Sequence, residues 1–202
     1  VPACDVLAGP GNRWVTAAKH YVSRFVGIDM LAGPSELVVL ADDSADPAII
    51  AADLLAQAEH DPDALPVLVT TSVGVVESVE RALTEQLTAL PTRDIAKAAL
   101  ANGFAVVAAN IDEAIESCDR IAPEHLEVHM RDADEVCRKV KHWGGLFVGT
   151  GAAEVFGDYG VGPNHVLPTG GCSRFTGGLS VLTFLRMRTW IKNTAAPSQE
   201  LI

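Results

Sequence analysis

The sequence predicts an α/β protein with a Rossmann-like parallel sheet flanked by layers of helices. Short β-branched runs alternate with longer segments of helical period, as expected of βαβ units. The 202 residues are 49% hydrophobic, which is enough apolar sequence for a sizeable core. Val1–Leu7 runs at once into a Gly9-Pro10-Gly11-Asn12 turn, and Pro197–Ile202 resembles the start of another helix. We therefore expect the fold to be incomplete at both ends, as a piece of a larger polypeptide.

The elements follow in chain order. The predicted strands are Glu36–Ala41, Pro66–Thr71, Phe104–Ala109, Leu126–Met130 and Leu146–Gly149. The predicted helices are Arg13–Arg24, Pro47–Glu59, Val75–Leu90, Ile111–Arg120 and Ala133–His142. Asp46-Pro47 favours a firm start to the second helix, because Asp accepts from free amides and Pro suits the first helical position.

The segment Phe156–Gly178 contains seven glycines and two prolines without long periodicity. A loop of this length inside a compact domain is usually functional or disordered, and its Asp and His favour function. Helical spacing returns over Leu179–Lys192. We expect residues 1–36 to end a cofactor-side α/β domain, 37–178 to form the main α/β domain with metal and catalytic residues, and 179–202 to start a C-terminal helical segment.

Composition excludes several classes of function. The formal net charge of −11 would repel a nucleic-acid backbone, so nucleic acid is not an expected partner. Every apolar run is too short for a membrane span. The four cysteines form no C-x-x-C pair of the kind that binds zinc, and they are typical of reduced thiols in the cytoplasm.

Two short strings contain residues suited to chemistry. Gln57 and His60, three positions apart at the end of a helix, share a face and can point at one atom. A His near a helix C-terminus is, however, favourable for the dipole alone. Glu124 and His125 stand side by side before a strand, where an acid/base pair or a plain surface loop is possible.

Three further strings lie in turns and loops. Asp158 and His165 are competent zinc ligands in the glycine-rich segment. The turn that ends at Asn12 allows close approach of a phosphate, although it lacks the dinucleotide fingerprint. Ser35 lies in a turn feeding a strand, where a structural role is the default. Taken singly, none of the five strings identifies an enzyme.

Their order along the chain is more informative. The strings GPGN, IDM-AGPSE, DLLAQAEH, APEHLE and GDYGVGPNHVLPT occur at residues 9–12, 28–36, 53–60, 122–127 and 157–169. Together they closely resemble the histidinol dehydrogenase family, over essentially the whole chain. The resemblance implies a homodimeric enzyme of the last step of histidine biosynthesis. Such an enzyme oxidises the amino alcohol L-histidinol to L-histidine through a bound aldehyde, with Zn²⁺ and NAD as cofactors.

The resemblance also implies roles for individual residues. Gln57, His60 and Asp158 match the family's zinc ligands, and Glu124 and His125 match its acid/base pair. Asn12 matches an NAD contact. The residues that match substrate contacts are Ser35, Gln57, His60, His125, Asp158 and His165.

Other matches are missing, and alternatives remain. In the family, a segment before Val1 supplies much of the cofactor site, and one after Ile202 supplies a histidine that completes the zinc site. The other histidines here, His20, His129 and His142, lie in unrelated contexts. Residues 173–178 differ from the biosynthetic form, which leaves a related zinc and NAD dehydrogenase of another small polyol possible. An inactive truncated product that keeps only an interaction core is the other alternative.

Overall fold

A computed structural model describes residues 2–159 and 161–192 of the chain. Its main sheet has five parallel strands in the order β5-β4-β3-β6-β7. These strands are β3 (Glu36–Ala41), β4 (Leu65–Thr70), β5 (Phe104–Val107), β6 (His125–His129) and β7 (Gly145–Val148). The chain winds outward from β3 to β5, then returns to place β6 on the other side of β3. The sheet is therefore doubly wound, with its switch point between β3 and β6.

Helices cover both faces of this sheet. They are α2 (Pro47–Ala58), α3 (Val73–Ala89), α4 (Arg93–Leu100), α5 (Ile111–Ile121) and α6 (Ala133–Cys137). Alternate residues of a strand face opposite sides, so β3 divides between two cores. Leu37 and Val39 pack with Ile50 and Leu54 of α2, whereas the Val38 side of the sheet packs with α5. The predicted α/β class with a Rossmann-like parallel sheet is confirmed.

A smaller unit precedes the main sheet. Two short parallel strands, β1 (Val6–Leu7) and β2 (Gly27–Ile28), flank α1 (Arg13–Val22). None of the residues of α1 is buried, although Trp14 and Tyr21 are large. The sequence did not predict β1 or β2, because strands of two residues leave no periodicity to read.

Two expectations about the helices were wrong, and one helix was not predicted. The segment Leu179–Lys192 forms only a short 3₁₀ helix, Val181–Phe184, and from Val181 onward its large apolar side chains are exposed. A helix with no packed face is only marginally stable, which explains the difference. The helix expected over Ala133–His142 ends at Cys137, and α4 was not predicted. The expected start of a helix at Pro197–Ile202 lies outside the described residues.

The glycine-rich segment includes one further element, α7 (Val155–Asp158), and a single 3₁₀ turn at Cys172–Arg174. The rest of its described residues form loop, as expected. Among the described residues, no helix is both long enough and apolar enough to cross a membrane.

Candidate active site at the amino edge of the sheet

Two predicted site strings meet where β3 and β6 begin. The two strands pair in parallel with Leu37 opposite His125, so the residues just before them are neighbours. Ser35 Oγ donates a hydrogen bond of 2.5 Å to Glu124 Oε2, and the backbone N–H of Glu36 donates to the same oxygen at 3.2 Å. The Glu124 carboxylate is thereby held in a fixed orientation with little exposure.

The Glu36 side chain also links segments at this edge of the sheet. Its Oε2 accepts from the backbone N–H of Glu124 at 3.3 Å, and its Oε1 accepts from that of Gly170 at 2.9 Å. Burial raises the pKa of the Glu36 carboxyl, and the two backbone hydrogen bonds only partly offset this rise. Sequence reasoning did not single out Glu36, although it ends the AGPSE string.

His125 is the first residue of β6 and is 7% exposed. Its Nδ1 lies 3.1 Å from the carbonyl oxygen of Glu36, which can only accept a hydrogen bond. Nδ1 therefore carries a hydrogen, so that in the neutral form of the ring Nε2 is the nitrogen with the lone pair. The predicted pair does converge, with 3.8 Å between Nδ1 and Glu124 Oε2.

A second carboxylate approaches the same imidazole. Glu154 Oε1 lies 3.6 Å from His125 Nδ1, at the start of α7. The ring of Phe147 stands with its centroid 6.0 Å from that of His125 and also lies against Gly157. The sequence offered no signal for Glu154, because a lone Glu at the start of a loop is typical of a solvated surface.

A cleft of about 650 Å³ opens beside these residues. It brings together segments that are far apart in sequence, and its lining residues are Gly9–Arg13, Val15, Thr16, Lys19, Met30, Ala32–Ser35, His60–Asp63, Glu124, His165–Leu167 and Thr169. Five predicted site residues therefore line one cleft, namely Asn12, Ser35, His60, Glu124 and His165. Thr169, which the sequence did not single out, accepts from the N–H of Gly33 at 2.6 Å and ties the glycine-rich segment to this cleft.

The turn at Gly9–Asn12 is held by an ion pair. Lys19 Nζ lies 2.6 Å from Asp29 Oδ1 and also donates to the carbonyl of Gly9, while the N–H of Gly9 donates to Asp29 Oδ2 at 2.8 Å. Burial would raise the pKa of Asp29, but these hydrogen bonds and the Lys19 charge outweigh it and lower the pKa. The side chain of Asn12 caps α1 by accepting from Trp14 N at 3.1 Å.

The predicted metal ligands occupy contrasting positions. Gln57 is 1% exposed, and among the described residues its amide oxygen and nitrogen have no hydrogen-bond partner. Burying an amide without a hydrogen-bond partner lowers the free energy of unfolding unless the amide binds something else. Gln57 is therefore suited to be a metal ligand. His60, one turn later, is exposed at the cleft. Asp158 ends α7, and its side chain lies outside the part of the structure described.

His129, which the sequence left outside the predicted site, lies in a buried group of its own. It is 2% exposed, and its Nε2 is 3.3 Å from Glu127 Oε2 and 3.8 Å from Asp53 Oδ2. The reason is the strand period: in β6 the side chains of His125, Glu127 and His129 share one face.

The cleft lies at the amino edge of the sheet. Ligands of doubly wound sheets usually bind beyond the carboxyl ends of the strands, at the switch point. Here Ser35 and Glu124 precede β3 and β6, and His60–Asp63 precede β4. Fold and site together define a Rossmann-like α/β domain with a carboxylate–imidazole pair next to a cleft at the amino edge of its sheet.

Comparisons with known proteins identify the family. A family model described as histidinol dehydrogenase matches residues 1–202, and the chain belongs to this family. It is 45% identical over 201 residues to the histidinol dehydrogenase of Thermus thermophilus, covering 100% of this chain and 49% of that protein. With the one from Parasynechococcus marenigrum it shares 47% over 198 residues, covering 97% and 45%. The chain thus spans about half the length of these relatives.

Solved structures agree on the fold. The crystal structure of histidinol dehydrogenase from Elizabethkingia anophelis superposes with a TM-score of 0.87 at 40% identity, covering 91% of this chain and 42% of that one. An acetylating aldehyde dehydrogenase from Geobacillus thermoglucosidasius has a TM-score of 0.57 at 16% identity, covering 94% and 58%. The latter shows likeness of fold alone.

Proposed function

We propose that this chain is the part of a longer enzyme that holds the acid/base pair for oxidation of L-histidinol to L-histidine, linked to NAD and dependent on zinc. The observation that carries the proposal is the meeting of Glu124 with Ser35 and His125. Ser35 and Glu124 line one cleft with His60 and His165, whereas the buried His125 stands next to Glu124 without lining the cleft itself. Membership of the histidinol dehydrogenase family supports the substrate.

The pair divides the proton transfers between its members. Oxidation of an alcohol requires removal of the hydroxyl proton as hydride leaves, and Nε2 of a neutral His125 is the acceptor. Oxidation of the bound aldehyde starts from its hydrate, so water has to be deprotonated first. We assign that step to Glu124, whose carboxylate lines the cleft and is oriented by two donors.

Gln57, His60 and Asp158 are the proposed zinc ligands, with Asn12 in the turn that contacts NAD. The unpartnered amide of Gln57 supports the first assignment. When bound, zinc would orient and polarise the substrate, and NAD would accept the hydride. Ser35 and His165 lie at the cleft, where they can bind the polar groups of an amino alcohol.

The rest of the enzyme has to complete this site. The chain covers 49% of the Thermus relative, and its cleft opens beside an α1 without buried residues. We propose that further segments cover α1 and complete the cofactor and zinc sites, with the latter shared across a homodimer. On this view residues 1–36 end a cofactor-side domain, 37–178 form the catalytic domain, and 179–202 begin the C-terminal segment.

The state of the cysteines agrees with a cytoplasmic enzyme. The four cysteines are unpaired, and burial raises the pKa of Cys118 to about 12, as suits inert thiols of a cytoplasmic enzyme. Ser173 donates to the carbonyl of Ala122 at 2.6 Å, and neither it nor Arg174 lines the cleft. Their difference from the biosynthetic form therefore gives no reason to prefer another polyol.

The test is turnover by the full-length enzyme loaded with zinc. With L-histidinol and NAD we expect two NADH per histidine, followed by absorbance of the reduced cofactor. The isolated 202-residue chain should show no steady turnover, because positioning of cofactor and substrate supplies much of the rate. A zinc-loaded full-length enzyme that ignores histidinol but oxidises another polyol would overturn the proposed substrate.

A further inference from the structure

A second group of metal-ligating side chains lies beneath α2, apart from the cleft. Asp53 on α2 and Glu127 and His129 on β6 each offer one ligand atom, and these atoms lie within 4.8 Å of one another. Glu127 is 0% and His129 2% exposed. The surrounding residues of β3, α2 and α3 are apolar, Leu37, Val39 and Leu54 among them.

The distances between the ligand atoms suit one small cation. His129 Nε2 lies 3.3 Å from Glu127 Oε2 and 3.8 Å from Asp53 Oδ2. Around a tetrahedral Zn²⁺ with bonds of about 2.0–2.1 Å, neighbouring ligand atoms are about 3.4 Å apart. Imidazole with carboxylates is a donor set that suits divalent transition ions better than Mg²⁺ or Ca²⁺.

In the described part of the chain, these atoms interact chiefly with one another. Among the described residues, Asp53 Oδ2, Glu127 Oε2 and both ring nitrogens of His129 are buried without a hydrogen-bond partner. Buried polar atoms in that state cost free energy, and here one atom from each of the three residues faces the same point. The ion pairs of Asp53 and Glu127 in the described part of the chain are with His129 alone.

Charge leads to the same conclusion. Two carboxylates this close and this buried repel each other unless a cation or a proton lies between them. In the metal-free chain the proton is the alternative: burial, and then the charge of Glu127, raise the pKa of Asp53 to about 7. The side chain of Asp53 is 14% exposed, which gives an ion a way in from the surface.

We propose that Asp53, Glu127 and His129 bind a second divalent transition ion, structural in role and distinct from the zinc assigned to Gln57 and His60. Three protein ligands leave one position for water. The ion would join α2 to β6, and so connect the helix that bears Gln57 and His60 to the strand that begins with His125. Glu127 extends this junction to α7, because its other oxygen accepts from the N–H of Glu154 at 2.9 Å.

The experiment is zinc stoichiometry by equilibrium dialysis of the full-length enzyme and its variants. We expect two equivalents per chain in the unaltered enzyme, one in His60→Ala, one in His129→Gln and none in the double variant. His142→Gln, a half-buried histidine outside both groups, should keep two. Zinc affinity at the second site should fall on the order of 100-fold when a ligand is lost. Replacing even a residue that only hydrogen-bonds to a metal ligand lowers metal affinity about 10–100-fold.

Asp53→Asn is a second variant, to be used if His129→Gln does not fold. It keeps the shape of the cluster and removes a buried charge. In the His60→Ala background, Zn²⁺ should raise the unfolding temperature while Asp53 is present and should leave it unchanged once Asp53→Asn is added, whereas Mg²⁺ should have no effect on either protein. A zinc content that His129→Gln and Asp53→Asn leave intact would overturn the proposal and leave a proton-bridged pair. A single zinc that is lost in His129→Gln but kept in His60→Ala would instead contradict the zinc site at the cleft.

Discussion

At the scale of single residues, the Glu124 carboxylate depends on donors from a strand that is distant in sequence. Ser35 Oγ and the N–H of Glu36 both donate to Oε2, so the carboxylate is positioned before any substrate arrives. His125 is fixed in turn by the carbonyl of Glu36. Such preorganisation is what the proposed division of proton transfers between the two side chains requires.

The two side chains should therefore differ in what their loss impairs. In the full-length enzyme we expect His125→Asn to slow oxidation of both histidinol and its aldehyde by about 10²–10⁴-fold. Glu124→Gln should slow the aldehyde step at least about tenfold more than the alcohol step, because only the hydrate requires activated water. Single-turnover rates with each substrate measure this, with His142→Asn as the control. Equal losses on both substrates for both variants would contradict the assignment.

Metal binding at the cleft is a second residue-scale expectation. His60→Ala removes an imidazole and should lower bound zinc in the full-length enzyme by one equivalent, measured by atomic emission after dialysis. His165→Ala is the matched control, because His165 lines the same cleft without being an assigned ligand. Unchanged zinc in His60→Ala, or equal losses in the two variants, would show that the ligands lie elsewhere.

At the scale of elements, the turn between α5 and β6 sets the position of Glu124 and His125, the proposed acid/base pair. Ala122 caps α5 in the left-handed region, with φ of 52°, and is fully buried. Ser173 and Arg174 donate to the carbonyls of Ala122 and Arg120, so the glycine-rich segment holds this turn from outside. Left-handed backbone costs a residue with a Cβ roughly 1–2 kcal/mol.

A pair of alanine variants isolates that cost. Ala114, in the middle of α5, is also fully buried, and Ala114→Gly should destabilise by roughly 2 kcal/mol through lost helix propensity and a lost methyl. Ala122→Gly loses the same methyl group, but glycine adopts the left-handed conformation without strain. We therefore expect its loss in free energy of unfolding to be smaller than that of Ala114→Gly by about 1–2 kcal/mol. Urea unfolding of both variants provides the comparison, and equal losses would mean that the turn is unstrained.

The sequence predicted best those helices and strands that pack an apolar face against the core. β3, α2 and α5 lie within a few residues of their predicted bounds, because each buries a periodic apolar face. The helix expected at Leu179–Lys192 failed where no partner covers its apolar side chains in the described part of the chain. Of the candidate site, the strings predicted five residues that line one cleft. The contacts of Glu36, Glu154 and Asp53 could not be predicted, because they depend on pairing between distant strands.

At the scale of the whole molecule, buried carboxyls set how stability varies with pH. The pKa of Asp53 is raised to about 7 in the folded chain by burial and by Glu127, against about 3.9 when unfolded. Between these values the folded state binds the extra proton, so its contribution is present at low pH and lost as pH rises through about 7. Asp29 and Asp42 have lowered pKa values in the folded chain, so they contribute in the opposite direction. Their contribution to the free energy of unfolding is present at neutral pH and is lost only in stronger acid.

Metal-free chain should accordingly become less stable as pH rises from about 5 to about 8. Asp53→Asn removes the titrating group and should flatten this decline, while Asp42→Asn, at the turn that follows β3, should leave the slope in place. Urea midpoints across that range test the expectation, which a flat profile in the unaltered chain would contradict.

The pairing of β3 with β6 has a consequence for folding kinetics. Ser35 and Glu124 are 89 positions apart, and three strands and four helices form between them in the chain. Closing so long a loop is slow, and contacts of this sequence separation slow the folding of a domain. The helix with Gln57 and His60 can form locally and early, whereas the oriented carboxylate exists only once β6 has docked. Recovery of the Ser35–Glu124 contact should therefore come late in refolding, after the local contacts of the helix with Gln57 and His60.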